Sequence, residues 1–268
     1  MKDVTFGQYF PANSFVHKMD ARVKILLTIA YIVAVFLVQS YHFLGFLACF
    51  VFLVFTVALS KVNFFRILKS VKVILFFVIL SAILQIFLNK DGNVVITIGA
   101  LKITDIALLS AGTIICRIVL VVMGASLLTL TTSPIELADG IESLLTPLKL
   151  VKFPVHEFAL IMSIALRFIP TLLDETDRII KAQKARGADF ESGNIFKRAK
   201  ALIPVLIPLL ISSFRRADEL ADAMDARCYA GSKKRTRYKK LRFSYRDLIG
   251  LLVVGGLIAG VVLLNGLI

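Results

Sequence analysis

The chain has little of what enzymes and metal carriers use. Its 268 residues include three cysteines, Cys49, Cys116 and Cys228, and three histidines, His17, His42 and His156. The cysteines are far apart, two of them sit in apolar runs, and no C-x-x-C pair occurs, so neither a disulfide framework nor a zinc site is indicated. The histidines show no metal-ligand spacing, which leaves them interfacial or structural roles. No glycine is followed by lysine anywhere, so the chain has no phosphate-binding loop of its own. Acids are also scarce, 18 against 32 Lys and Arg for a net charge of +14. Paired acids are missing from the apolar runs, where Asp105 stands only at an edge; this speaks against a membrane enzyme and against a proton-coupled carrier.

What the chain has in abundance is hydrocarbon. With 58% hydrophobic residues, 21 Phe and a mean hydropathy of +0.84, it holds more apolar surface than a soluble domain of this length can bury. The apolar residues form long unbroken runs at about 23–38, 43–59, 71–88, 106–130 and 248–268. As helices rising 1.5 Å per residue, each can cross a hydrocarbon core of about 30 Å, the first two only just. Nothing in the first eleven residues reads as a cleavable leader, so the first run is expected to stay as a span. The sequence therefore predicts an all-α, polytopic membrane protein with about five transmembrane helices. In the last run, Gly256 and Gly260 form a G-x-x-x-G that is expected to pack inside the chain.

Basic residues stay on the cytoplasmic side of a span. Lys2, Lys18, Arg22 and Lys24 precede the first run, and Lys61, Arg66, Lys69 and Lys72 lie between the second and third. With five spans, the N-terminus is expected on the cytoplasmic side of the membrane and the C-terminus outside. The segment 131–245 then lies in the cytoplasm with 20 of the 32 basic residues and 13 of the 18 acids. The organisation expected is an N-terminal membrane part at 1–130, a cytoplasmic helical domain at 131–245 and a C-terminal span at 246–268. A hairpin is expected between 89 and 103, where Val94, Ile96 and Ile98 alternate near Gly92 and Gly99.

The cytoplasmic segment reads as helices. Ser133, Pro134 and Glu136 supply an N-cap, a proline at the first helical position and a capping-box acid for a helix to about residue 148. A second helix follows Pro154 to about residue 185. A third runs from about 194 to 227 and is expected to bend at Pro204 and Pro208. The apolar parts of the last two fit spans poorly, since 163–170 contains Arg167 and 201–213 is short and flanked by bases; a seven-span alternative that counts both would put some of the flanking charges on the outer side. Helices along the inner membrane face are expected, with apolar surfaces offered to lipid or another protein.

Both of these helices end alike, in Ala185-Arg186-Gly187 and in Ala226-Arg227-Cys228, 41 residues apart. Arginine near a helix C-terminus is favoured by the dipole, and glycine suits a left-handed cap. Arginine also presents a planar, permanently charged fork of donors suited to a partner's groove. Two such tips on one membrane subunit match a partner with two equivalent grooves.

Several stretches carry a resemblance. Near the start these are Gly7-Gln8-Tyr9-Phe10-Pro11, Ser14, His17 and Asp20-Ala21-Arg22-Val23-Lys24. Further on they are Thr132-Ser133-Pro134, the stretch 157–170 ending in Leu166-Arg167-Phe168-Ile169-Pro170, and 182–190 around Arg186. Over essentially its whole length the chain resembles the transmembrane coupling (T) component of energy-coupling factor (ECF) transporters. It departs from that pattern at Ala21, where a proline is usual, and at Cys228, where the second motif usually has glycine.

The resemblance implies a non-catalytic subunit that joins ATP hydrolysis by two ABC-type ATPase subunits to uptake of a vitamin or metal ion through a substrate-binding membrane S component. It implies ATPase contacts at Ala185, Arg186 and Gly187 and at Ala226, Arg227 and Cys228. The protein itself is expected to need no cofactor, ATP being bound by the partners. The alternative is a self-sufficient secondary carrier.

Arg117 stands in the middle of the fourth run, where a charge has to be paired, and a carbonyl, Ser81 or Gln85 could pair it. The basic run from Lys233 to Arg242, just before the last span, is read as facing anionic membrane lipid rather than nucleic acid.

Overall fold

The computed structural model describes residues 9–39, 43–89, 93–98, 101–147, 154–190, 192, 194–229, 231 and 243–266. These form α1 (Ala21–Leu37), α2 (Phe43–Ser60), α3 (Phe64–Leu88), β1 (Val94–Ile98), β2 (Leu101–Thr104), α4 (Asp105–Thr131), α5 (Pro134–Leu144), α6 (Val155–Ala185), α7 (Ile195–Ala226) and α8 (Tyr245–Gly266). The basic run at 233–242 lies outside the described residues, as does most of the opening at 1–8.

The protein is a polytopic membrane protein built from helices and one small hairpin. Helices α2, α3, α4 and α8 are long and apolar enough to cross a bilayer. Helix α1 has 17 residues, the short limit for a span. Helix α3 starts earlier than its apolar run suggests. Asn63 caps it, accepting from the Phe65 N–H at 3.1 Å, so Arg66, Lys69 and Lys72 lie on its first turns rather than in a connection. Hydropathy marks only the part of a helix that faces lipid. The expected hairpin is β1 paired antiparallel with β2, and Asp105 ties its base to α4 by accepting from the Asn93 N–H at 3.0 Å.

Two compact units divide the chain, one taking residues 7–143 and 241–268, the other centred on 144–240. In the first, α1 to α4 and α8 share a core in which Val35, Cys49, Leu53, Ile67, Met123 and Val261 are buried. Large apolar side chains such as Phe65, Val73, Phe76 and Leu88 point outward, as helices bathed in lipid require. Lipid is as apolar as leucine, so close packing and polar bonds have to hold such helices together. Gly124 serves the first need, since a Cβ there would lie 2.6 Å from the Tyr31 ring. Among the described residues, Gly256 and Gly260 do not pack against another helix as expected. Apart from their own helix, no atom of these residues lies within 4 Å of where their Cβ would be.

The polar bonds concentrate on α1. At its start, Asp20 is the N-cap, accepting from the Arg22 N–H at 3.0 Å. Asp247 of α8, fully buried, accepts from the Asp20 N–H at 2.9 Å and from the Ser244 N–H at 2.7 Å, so one carboxylate serves the N-terminal ends of two helices. Lys24, also buried, donates to the His17 carbonyl at 3.0 Å and to the Thr131 carbonyl at the end of α4 at 3.1 Å. The opposite end of α1 is closed in the same manner. Arg117 of α4 donates to the Val38 carbonyl at 2.6 Å, and Asn265 of α8 donates to the Leu37 carbonyl at 2.6 Å. Carbonyls that α1 cannot satisfy itself are thereby paired without water.

The segment before α1 is fastened to the same place. The His17 Nε2–H donates to the Phe10 carbonyl at 2.9 Å, so Nδ1 is the acceptor for the Ser14 hydroxyl at 2.7 Å. The Phe10 N–H donates to the Leu130 carbonyl at 2.9 Å. Burial pushes the His17 imidazole below its ordinary value of 6.5, against the opposing pull of the Phe10 carbonyl. Helix α5 opens with a reciprocal capping box between Ser133 and Glu136 and packs its Gly140 against Ala21 and Ile25.

Candidate functional site

In the second unit, α6 and α7 pack on one another. Their described contact centres on Glu175, which accepts from the Ser212 hydroxyl at 2.6 Å and pairs with Arg216 at 2.8 Å. The Ser212 bond, helped by Arg216, holds the Glu175 carboxyl below the usual carboxylate range. Glu175 and Arg216 are 41 residues apart. That is also the separation of Arg186 and Arg227, so the helices meet at equivalent positions and each runs eleven residues further to its arginine. Eleven residues of helix measure about 16 Å.

The connection between the helices fixes their sense. Ile195 lies about 31 Å back along α7 from Arg216. The loop at 187–194 reaches at most about 30 Å. Helices running in the same direction would place Arg186 and Ile195 much further apart than that, so α7 runs back against α6. The two arginine tips therefore stand on opposite sides of the contact, at equal distances from it.

The tips close in the same way. At the first, the Gly187 N–H donates to the Lys184 carbonyl and the Ala188 N–H to the Gln183 carbonyl, both at 3.0 Å. At the second, the Cys228 N–H donates to the Asp225 carbonyl at 2.9 Å and the Tyr229 N–H to the Met224 carbonyl at 3.0 Å. Each is a complete Schellman motif, with its C′ residue in the left-handed region at φ 87° for Gly187 and 55° for Cys228. Cys228 thus takes up the backbone that glycine adopts at the first tip, at a cost of about 1 kcal/mol. Arg186 and Arg227 occupy the same cap position and are exposed, as are Ala185, Gly187, Ala226 and Cys228. Neither guanidinium makes a hydrogen bond or ion pair among the described residues.

Upstream of the tips both helices carry exposed apolar side chains. Ile161 and Ile169 lie on α6, and Leu206, Leu210 and Phe214 on α7. Arg117 belongs to the first unit and lies near the Phe36 and Phe46 rings, 5.8 and 5.7 Å from their centres, while it binds Val38. Among the described residues, no group of three His, Cys, Asp or Glu could hold a metal ion. A cavity of about 140 Å³ between α1, α2, α4 and α8 is lined by side chains such as Phe52, Leu53, Leu127 and Val253 and contains no carboxylate, imidazole or thiol.

The arrangement offers two matched, charged projections on a helical scaffold. The model of one protein family, described as cobalt transport protein (CbiQ), matches residues 12–238, a stretch that includes both tips. The chain belongs to the CbiQ family. Curated relatives extend this match over nearly the whole length. The energy-coupling factor transporter transmembrane protein EcfT of Ruminiclostridium cellulolyticum is 53% identical over 256 residues, 95% of each chain. The EcfT of Clostridium kluyveri is 52% identical over 253 residues, 94% of this chain and 93% of that one. The EcfT of Bacillus subtilis is 43% identical over 264 residues, 96% and 98%. The resemblance read from the motifs is therefore carried over nearly the whole of this chain, which is a transport subunit of the membrane.

Residue by residue, sequence reasoning found the two tips but not what joins them. Glu175, Ser212 and Arg216 have no place in the reading of the sequence. The signal that would have found them is the 41-residue offset itself, which aligns Glu175 with Arg216 as it aligns Arg186 with Arg227. The opening residues from Phe10 to Lys24 enter the sequence reading as a basic flank and as part of the resemblance. In the structure they form the fastening at the start of α1.

Proposed function

We propose that this protein is the non-catalytic coupling subunit of an energy-coupling factor importer, with Arg186 and Arg227 each docked in a groove of one of two ABC-type ATPase subunits. One observation carries the reading. Two exposed arginines close two helices with the same hydrogen-bond pattern, on opposite sides of a Glu175–Arg216 contact and at equal distances from it. A permanently charged planar fork on a rigid helix end suits a groove lined by carboxylates or carbonyls. Two such ends suit a partner with two such grooves.

On this reading α6 and α7 lie on the cytoplasmic side, with the N-terminus inside and the C-terminus outside, as the basic flanks suggest. Their apolar faces, including Leu206, Leu210 and Phe214, would be covered by lipid and by a membrane S component that selects a vitamin or a metal ion. The chain has no phosphate-binding loop, so ATP is bound by the partner subunits. Closure of the two ATPases moves the tips, and α6 and α7 pass the motion to the S component.

The test is an affinity pull-down of the tagged protein from native membranes in mild detergent, alongside Arg186→Glu/Arg227→Glu. Two ATPases and small membrane proteins should copurify with the native chain, and the double variant should lose them or hydrolyse ATP without uptake. An intact complex that still couples hydrolysis to uptake with both substitutions would overturn the reading, as would a chain that purifies alone and transports alone.

A further inference from the structure

The 41-residue offset aligns the last turns of α6 and α7 one to one, and what it aligns is opposite in charge. Arg178, Lys181 and Lys184 of α6 stand where α7 has Glu219, Asp222 and Asp225, and all six are exposed. At each of these three pairs the sign is reversed. The arginine of each tip is the one charge the two stretches share: 178–186 carries four positive charges and no negative one, and 219–227 carries three negative charges and one positive. The backbone says the tips are equivalent, and the side chains around the arginines say they are not interchangeable.

We propose that this inversion assigns each tip to a different ATPase subunit, the α6 tip to one whose groove is rimmed by acidic side chains and the α7 tip to one whose groove is rimmed by basic side chains. The inference rests on the docking reading above and deepens it. A shared arginine anchors either tip in either groove, and the three flanking charges decide which tip goes where. Wrong pairing would set three like charges against a rim of the same sign at both ends at once. That is the repulsive element by which interfaces reject the wrong partner. The ATPase pair is then made of two non-identical subunits held in one orientation. Single exposed pairs are weak, but three at each tip add to a preference of about tenfold or more for the correct orientation. Being exposed, they are screened by salt, so the preference falls as ionic strength rises.

The test uses the intact complex purified with its own ATPases. A photoreactive p-benzoylphenylalanine replaces Ala182 in one version and Ala223 in another, equivalent exposed positions one turn before the two arginines. In the native background each position should cross-link to a different ATPase subunit, with about a tenfold excess over the other one. In a charge-exchanged background (Arg178→Glu, Lys181→Asp and Lys184→Asp with Glu219→Arg, Asp222→Lys and Asp225→Lys) the two products should trade places. A neutral background, with Gln or Asn at the same six positions, keeps both arginines and should give each position both products at a ratio near one.

If the exchanged complex does not assemble, the neutral one decides. Product ratios that stay native in the exchanged or the neutral complex would overturn the assignment while leaving the docking reading intact. So would both positions labelling the same subunit in the native complex. Absence of any ATPase product from either position in the native complex would instead remove the docking reading itself.

Discussion

Replacing Asp247 tests whether α1 is held by side chains rather than by apolar contact. Its carboxylate accepts from the Asp20 N–H at 2.9 Å and from the Ser244 N–H at 2.7 Å, and the residue is fully buried. Asp247→Ala removes both acceptors. The Asp20 N–H is then left in a dry place, which costs about 1–3 kcal/mol, while the part-buried Ser244 N–H recovers some of its loss from solvent. Loss of the negative charge beside two helix N-termini adds about 0.5 kcal/mol or more. The sum is about 2–4 kcal/mol. Asp247→Asn keeps one acceptor and turns an amide N–H toward the other donor, so it should fall between, near 1–2 kcal/mol. For a chain of this size 1 kcal/mol corresponds to about 2–4 °C in melting temperature. Thermal unfolding of the detergent-purified protein should therefore give the order native, Asn, Ala, with the Ala variant lowered by roughly 4–16 °C. An Ala variant within 1 °C of native, or an Asn variant below Ala, would refute the reasoning.

Gly187→Ala should destabilise the first tip by about 1 kcal/mol, and Cys228→Gly should stabilise the second by about the same amount, both read by thermal unfolding. The Glu175–Arg216 pair should show a coupling of roughly 0.5–1 kcal/mol in a Glu175→Gln/Arg216→Gln double-mutant cycle, most of it gone at high salt. Because the folded protein holds His17 below the ordinary imidazole value of 6.5, its neutral form supports the fold. That stability is fully present above about pH 6.5 and is lost as pH falls through the lower folded value. Melting temperature should drop as pH falls below about 6.5, and His17→Gln should flatten that part of the profile.

The spans, the hairpin and the ends of α6 and α7 were legible because each rests on local chemistry. Apolar runs mark lipid, alternation near glycines marks strands, and Ser133 with Glu136 marks a helix start. Helix α3 was read short because Arg66, Lys69 and Lys72 hid its first turns, although Asn63 was a usable cap signal. Its extension lies where hydropathy is silent. The partners of Asp247, Lys24 and Asn265 were not legible at all. Every one is a backbone group, and backbone groups leave no mark in a sequence. For Arg117 only the kind of partner was legible. Of the groups weighed for it, a carbonyl, Ser81 or Gln85, it binds a carbonyl, but nothing in the sequence says that this belongs to Val38, beyond the end of α1. At the candidate site, the cap at Cys228 kept the glycine geometry despite its side chain, because the two closing hydrogen bonds outweigh about 1 kcal/mol of backbone strain.

The way α1 is fastened also bears on how the chain is made. A first span can enter the bilayer as a helix as soon as it is synthesised, yet Asp247 and Asn265, which close its two ends, are 227 and 228 residues further along the chain than the groups they bind. Until α8 is in place, α1 has an open donor, the Asp20 N–H, at one end and an open acceptor, the Leu37 carbonyl, at the other. A nascent or truncated chain lacking α8 is thus left unfinished at α1, and arrival of α8 closes both ends in one step.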